Sequence, residues 1–234
     1  MKVEIWSDIA CPFCYIGKRK FEQALETFEH KGAVEKTFKS FQLDPAAKKN
    51  TGESMTELLA EKYNMTIEKA REMNQQVAAQ ANEVGLDFQL EDVVMTNTMD
   101  AHRLSHYAAE HGKMDGVMER LLKAYFTEGA DVGDHEVLAT IANDSGLDKQ
   151  NVLVVLSGEN YRNEVLRDQQ EGAQIGVQGV PFFVLNRKYA VSGAQPPEAF
   201  LEVLNKVWEE ENAQQPLHVV GEDTKTCSDG SCDG

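Results

Sequence analysis

A chain of 234 residues, 41% of them apolar, is long enough for one large domain or for a small domain with a sizeable insertion. Its formal net charge of −16 argues against nucleic acid or an anionic membrane as partner, since both are held by Lys and Arg. No stretch reaches the apolar length of a membrane span, and Met1 to Trp6 lacks the basic and apolar regions of a secretory signal, so the expected compartment is the cytoplasm.

Lys2 to Trp6 carries Val3 and Ile5 on one face and is short and β-prone, which predicts a first strand. Cys11-Pro12-Phe13-Cys14 follows and opens a helical pattern with Ile16, Phe21, Leu25 and Phe28 on one side. Val34 to Leu43 is rich in β-formers and is ended by Asp44-Pro45, so the chain opens β-α-β. From there to about Ile175 almost everything reads as helix. Ser54-Met55-Thr56-Glu57 is a capping-box pattern, and the spacings Val117, Leu121, Leu122, Tyr125 and Val137, Leu138, Ile141 each mark a helical face. Strands return with Phe182 to Leu185, continuously apolar as in a strand buried on both faces, and with Tyr189 to Ser192 across Asn186-Arg187-Lys188. Pro196-Pro197-Glu198 opens a last helix with Phe200, Leu204, Val207 and Trp208 on one face. From Glu209 onward there is no aromatic residue, and seven acids stand against one lysine. Such a segment cannot bury enough to fold alone and is expected to be a mobile tail.

The four cysteines are Cys11, Cys14, Cys227 and Cys232. A secreted disulfide scaffold would be shorter and denser in cysteine, and disulfides in the cytosol tend to be transient and chemical. Cys11 falls at the predicted helix N-cap, where unpaired N–H groups and the macrodipole favour a thiolate. Cys14 lies one turn inside on the same face, within disulfide reach, and Pro12 suits the first helical position. This pattern predicts an exposed attacking sulfur and a sheltered resolving one. A zinc half-site would need a second ligand pair, and only Cys227 and Cys232, far away and differently spaced, offer it. Pro181, in Gly176-Val177-Gln178-Gly179-Val180-Pro181-Phe182-Phe183, opens a buried strand although it cannot donate to a ladder.

The phrases "SDIACPFCYIG", "NTMDAHRL", "GVQGVPFFVLN" and "VSGAQ", in that order and spanning most of residues 1–208, resemble the DsbA-like thiol–disulfide oxidoreductases, in particular their cytosolic FrnE-type subgroup. The resemblance implies an α/β chain with a thioredoxin fold and a large all-helical insertion between the second and third strands. That layout divides the chain into a discontinuous thioredoxin-like domain of residues 1–45 plus 176–208, a helical insertion of residues 46–175 and an acidic tail of residues 209–234. It further implies that Cys11 is the nucleophile, Cys14 the resolving thiol and Pro181 a cis-proline beside them. Substrate contacts are then expected from the backbone of Val180 and from Phe13 and His102, with Asn97, His102 and Arg103 turned toward the groove. The competing reading makes those three polar residues local caps and pairs. The other histidines, His106 and His135 among them, read as surface residues.

Expected partners are disulfide or dithiol substrates, protein or small molecule, and a recycling thiol. No cofactor or metal is implied beyond the redox-active Cys11–Cys14 disulfide, with glutathione a candidate co-substrate. The dipeptide between the cysteines is Pro-Phe, not the Pro-His of the strongly oxidising periplasmic members, which points to a less oxidising centre. Two rival readings remain open: a glutathione-dependent isomerase or transferase of the kappa or hydroxychromene-carboxylate type, and a soft-metal binder using all four thiols. For Cys227 and Cys232 the expectation is a second redox couple. The run from Glu209 to Thr226 would reach about 20–25 Å as a flexible coil, enough to bring that pair to the first.

Overall fold

A computed structural model of the chain describes residues 1–50, 52 and 54–213. The elements in order are β1 (Lys2–Ser7), α1 (Pro12–Thr27), β2 (Glu35–Ser40), α2 (Met55–Lys62), α3 (Ile67–Glu83), α4 (Met99–Glu110), α5 (Met114–Phe126), α6 (His135–Asp144), α7 (Lys149–Ser157), α8 (Arg162–Gln174), β3 (Phe182–Leu185), β4 (Tyr189–Ser192) and α9 (Pro197–Asn212). The strands form one mixed sheet ordered β2-β1-β3-β4. β1 pairs parallel with β2, Ile5 opposite Phe38, and antiparallel with β3, Ile5 opposite Phe183. All helices from α2 to α8 fall between β2 and β3, where the sequence places its helical insertion.

Strand alternation divides the apolar side chains between the two sheet faces. Val3, Ile5, Phe183 and Leu185 belong to the main core, shared with Phe21 of α1 and Phe200 of α9. Phe21, Phe183 and Phe200 meet with ring centroids 4.7–5.5 Å apart, a tilted and edge-on cluster that ties both helices to the sheet. Each such ring contributes about 1.5–3 kcal/mol by burial alone. On the opposite face Trp6 packs with Val177 and Val184, and its indole N–H donates to the Asp168 carbonyl of α8 at 2.9 Å. Gly172 of α8 is needed at this contact, because a Cβ there would stand 2.8 Å from the indole nitrogen.

Two boundaries differ from the sequence reading. β2 stops at Ser40 rather than Leu43, because β1 ends at Ser7: the Phe41 N–H takes the Ser7 carbonyl, and Leu43 then turns to donate to the Asp8 carboxylate at 2.8 Å. α9 continues past Trp208 to Asn212, through Glu209, Glu210 and Glu211, all strong helix formers. Glu210 is held there by the Tyr189 hydroxyl at 2.5 Å and by the Lys188 ammonium. The predicted capping box is present, with the Ser54 hydroxyl accepting from the Glu57 N–H and Glu57 accepting from the Ser54 N–H. Among the described residues no helix is long and apolar enough to cross a membrane.

A charged cluster joins α1 to α5. Glu119 accepts from the Tyr15 hydroxyl and the Lys18 ammonium, each at 2.6 Å, and pairs with the Arg19 guanidinium. Burial by itself would raise this carboxyl, but the hydrogen bond from Arg19, the charge and bond of Lys18 and the Tyr15 O–H outweigh it and hold it at about 2. A carboxyl depressed in the folded state stabilises above its unfolded value, and the gain is lost as pH falls through the folded one. Stability should therefore decline between roughly pH 5 and pH 2 as the cluster is discharged, by about 1–2 kcal/mol for this group once solvent screening is allowed for. Chemical denaturation of the parent and of Glu119→Gln across that range checks this. Parallel pH slopes in the two proteins would refute it.

Candidate active site

Four residues separate the end of β1 from α1, and they bring Cys11 to the helix N-cap in extended conformation (φ −96°, ψ 110°). Pro12 follows at the first helical position, its missing N–H costing nothing there. The Cys11 N–H donates to the Asp8 carbonyl at 3.2 Å and the Cys14 N–H to the Cys11 carbonyl at 3.0 Å, which sets the turn between the sulfurs. Both cysteines are free thiols. The Cys11 sulfur lies 3.5 Å from the Val180 carbonyl oxygen, and the Val180–Pro181 bond is cis.

Three quoted phrases of the sequence converge here. Gly17 of α1 faces the Pro181 ring and Ala194, and a Cβ on Gly17 would stand 2.9 Å from the Pro181 Cγ and 3.5 Å from Ala194. The absence of a side chain at Gly17 lets the proline loop close on the helix that carries the cysteines. The Pro181 carbonyl then accepts from the Gly193 N–H at 2.8 Å.

The sulfurs are not divided as the sequence suggests. Cys11, expected to be exposed, is 4% exposed, and Cys14 is 3% exposed. The loop through Val180 and Pro181 covers Cys11, a long-range contact that helix position alone does not reveal. Phe13, between them, projects outward at 38% exposure, and Val180 is half-buried with its side chain packed against the cluster of Trp6, Val177 and Val184. Burial pushes the Cys14 thiol well above its ordinary range, and its hydrogen bond with Cys11 and the Cys11 charge push the same way. The Ser7 hydroxyl and the Asp8 backbone N–H pull it down.

His102 is not a groove residue. It is buried on α4, with Nε2 3.2 Å from Oδ1 of the equally buried Asp8. The Asp8 carboxylate also accepts from the N–H groups of Ala10 and Leu43, so it locks the β1–α1 connection to α4. Asn97 and Arg103 are likewise structural. The Asn97 amide donates to the carbonyls of Pro45 and Ala47 and its oxygen accepts from the Met99 N–H. Arg103 is buried against the end of α7. Nor are His106 and His135 free surface residues: His106 is 3.1 Å from Asp168 and Ser40, and His135 is 2.9 Å from Asp100. In each case an acid distant in sequence supplies the partner.

The residues that sequence reasoning left unassigned are Ser7 and Asp8, both 1% exposed. A polar pair between an apolar strand and CPFC was the available signal. Cys227 and Cys232 lie outside the described residues. Among the described residues no group of three or more His, Cys, Asp and Glu is placed to hold a metal ion.

Residues 2–205 match the model of a family described as DSBA-like thioredoxin domain. A probable DsbA oxidoreductase of Streptomyces coelicolor, known from its crystal structure, is 40% identical and superposes with a TM-score of 0.87, covering 100% of this chain and 98% of that one. The uncharacterized protein YwbO of Bacillus subtilis is 24% identical over 209 residues, 87% of this chain and 95% of YwbO. The cytosolic disulfide reductase DsbM of Pseudomonas aeruginosa, solved also with glutathione, is alike in fold alone: 15% identity and a TM-score of 0.63 over 90% of this chain and 100% of that one.

Proposed function

The chain belongs to the DSBA-like thioredoxin domain family, and from that premise we propose that it is a thiol–disulfide oxidoreductase whose Cys11–Cys14 pair cycles between dithiol and disulfide. One observation carries the reading: two free thiols one helical turn apart, the first at the N-cap and 3.5 Å from the carbonyl that precedes a cis-proline. The Cys11 thiolate attacks one sulfur of a substrate disulfide, forming a mixed disulfide while the other substrate sulfur leaves with the electron pair. Cys14, having given its proton to a base in solution, then attacks the Cys11 sulfur. The intramolecular disulfide forms and the second substrate thiolate departs. The exposed Phe13 side chain and the backbone of Val180 are the contacts for the substrate chain.

The P. aeruginosa neighbour is a cytosolic disulfide reductase and has been solved with glutathione, which supports glutathione as the recycling thiol here and a cytoplasmic setting. A glutathione-dependent isomerase would leave Cys14 without a task, so the dithiol reading is preferred. Equilibration with glutathione buffers, followed by alkylation and mass measurement, tests it. Cys11 and Cys14 should titrate together as one two-electron couple, less oxidising than the about −120 mV of the strongest oxidants of this class. Cysteines that stay reduced at every glutathione ratio would refute the proposal.

For Cys227 and Cys232 the proposal of a second couple exchanging with Cys11–Cys14 rests on the sequence, which gives two thiols with a Ser-Asp-Gly-Ser spacer. Truncation before Cys227 should change turnover or the redox state of the Cys11–Cys14 pair. Equal activity and equal potential with and without these residues would dismiss the idea.

A further inference from the structure

Asp8 and His102 form a buried pair, their side chains each 2% exposed and Oδ1 of the one 3.2 Å from Nε2 of the other. Asp8 stands between β1 and Cys11, whereas His102 belongs to α4 of the helical insertion. The Asp8 carboxylate takes N–H donors on both oxygens, Ala10 on Oδ1 at 3.4 Å and Leu43 on Oδ2 at 2.8 Å. An ionised carboxylate accepts only, so this pattern assigns the hydrogen of the shared contact to His102 Nε2. The carbonyl of the same Asp8 accepts the Cys11 N–H at 3.2 Å, so carboxylate and thiol belong to one turn of chain. A fixed negative charge in that turn opposes a thiolate at the N-cap, and burial leaves little water to screen it. Buried charges in native proteins are paired, and here the partner comes from the helical insertion.

We propose that His102 is a positioning residue for the thiol pair: its ring N–H holds and offsets the Asp8 carboxylate, so that the helical insertion sets the potential of the Cys11–Cys14 couple. This rests on the reading of Cys11 and Cys14 as a dithiol–disulfide centre. Reduction of their disulfide by two glutathione thiols moves two electrons into the pair and forms one glutathione disulfide. The two thiol protons pass to the cysteines, and Cys11 releases its own to solvent where the thiolate is favoured. Whatever stabilises that thiolate stabilises the reduced form and makes the couple more oxidising. Asp8 acts against it and His102 offsets Asp8. Neither side chain touches substrate or exchanges a proton with the sulfurs in this scheme. The carboxylate works as a fixed charge, with its three donors from the β1–α1 connection, the segment after β2 and α4.

The test uses the full chain with Cys227→Ser and Cys232→Ser, so that only two thiols report. It is equilibrated with glutathione buffers at neutral pH, and the disulfide fraction is read by alkylation and mass. His102→Leu, which donates nothing, should lower the equilibrium constant for reduction by glutathione about tenfold, or about 30 mV toward the reducing side. Asp8→Asn, which keeps the shape and removes the charge, should move it about tenfold the other way. His102→Gln, whose amide can donate to the same carboxylate, should fall between the parent and His102→Leu. A merely structural lock gives no such opposition of sign, so shifts in one direction, or none, would overturn the proposal. If His102→Leu does not fold, Asp8→Asn decides alone: a shift toward the oxidising side supports the proposal, and any other result overturns it. Failure of both to fold would make the pair a lock of the fold and overturn it too. A parent that stays reduced at every glutathione ratio would refute the dithiol reading and this inference with it, whereas a parent that titrates beside unmoved variants refutes the inference alone.

Discussion

Replacing Cys11 by serine is expected to lower disulfide exchange by about three orders of magnitude or more, the scale lost when a covalent nucleophile is removed. Replacing Cys14 by serine should have a different outcome: attack continues, and the protein accumulates as a mixed disulfide. The asymmetry follows from position. Cys11 sits at the N-cap of α1, where unpaired N–H groups stabilise negative sulfur, and its neighbour is the Val180 carbonyl at the mouth of the proline loop. Cys14 lies one turn deeper, and burial holds its thiol well above the ordinary range, so it is protonated when a substrate first arrives. Intact-protein mass after exposure to oxidised glutathione separates the two variants. Adducts on the Cys11 variant and none on the Cys14 variant would reverse the assignment.

Arg103→Met is expected to cost about 4 kcal/mol of stability, which for a chain of this size lowers Tm by roughly 10 °C. The buried guanidinium bonds Asp100 at 2.7 Å and the carbonyls of Val155, Leu156, Gly158 and Asn160 at 2.5–3.3 Å. Several of these are the last carbonyls of α7, which have no partner inside the helix. Methionine fills much of the space but donates nothing, leaving those acceptors buried and unpaired. It also removes one of the three hydrogen-bonding side chains, with Lys49 and His135, that outweigh the burial of the Asp100 carboxyl and hold it at about 2. Arg103→Lys should rescue little, because three donors on a flexible stem cannot replace a planar fork reaching five acceptors. Thermal unfolding measures both variants, and a shift of only a degree or two in Arg103→Met would show that the network carries little weight.

The arginine and the cysteines illustrate different degrees of legibility. CPFC could be read because its determinants are local: a β-prone run, a proline at the first helical position and thiols spaced by one turn. The same holds for Ser54 with Glu57, where both partners of the capping box are three residues apart, and for β3 and β4, whose apolar pattern and turn lie within one short stretch. The resemblance added Pro181, and the structure adds why the phrases travel together, since Gly17, Pro181 and Ala194 meet at one contact.

What the sequence by itself determined, then, is the kind and order of the elements and the identity of the thiol pair, because hydrophobic period, caps and turn residues act over a few positions. The tertiary structure alone decided which polar residues belong to the site. Asp8 meets His102 across 94 positions of sequence, and Arg103 finds its carbonyls more than 50 positions away. The chain read in order offers no signal for such pairs, so His102 looked like a groove residue. Burial of Cys11 belongs to the same class. Helix position sets the electrostatics at its sulfur, but only the return of the chain at Val180 and Pro181, about 170 residues later, closes the site over it.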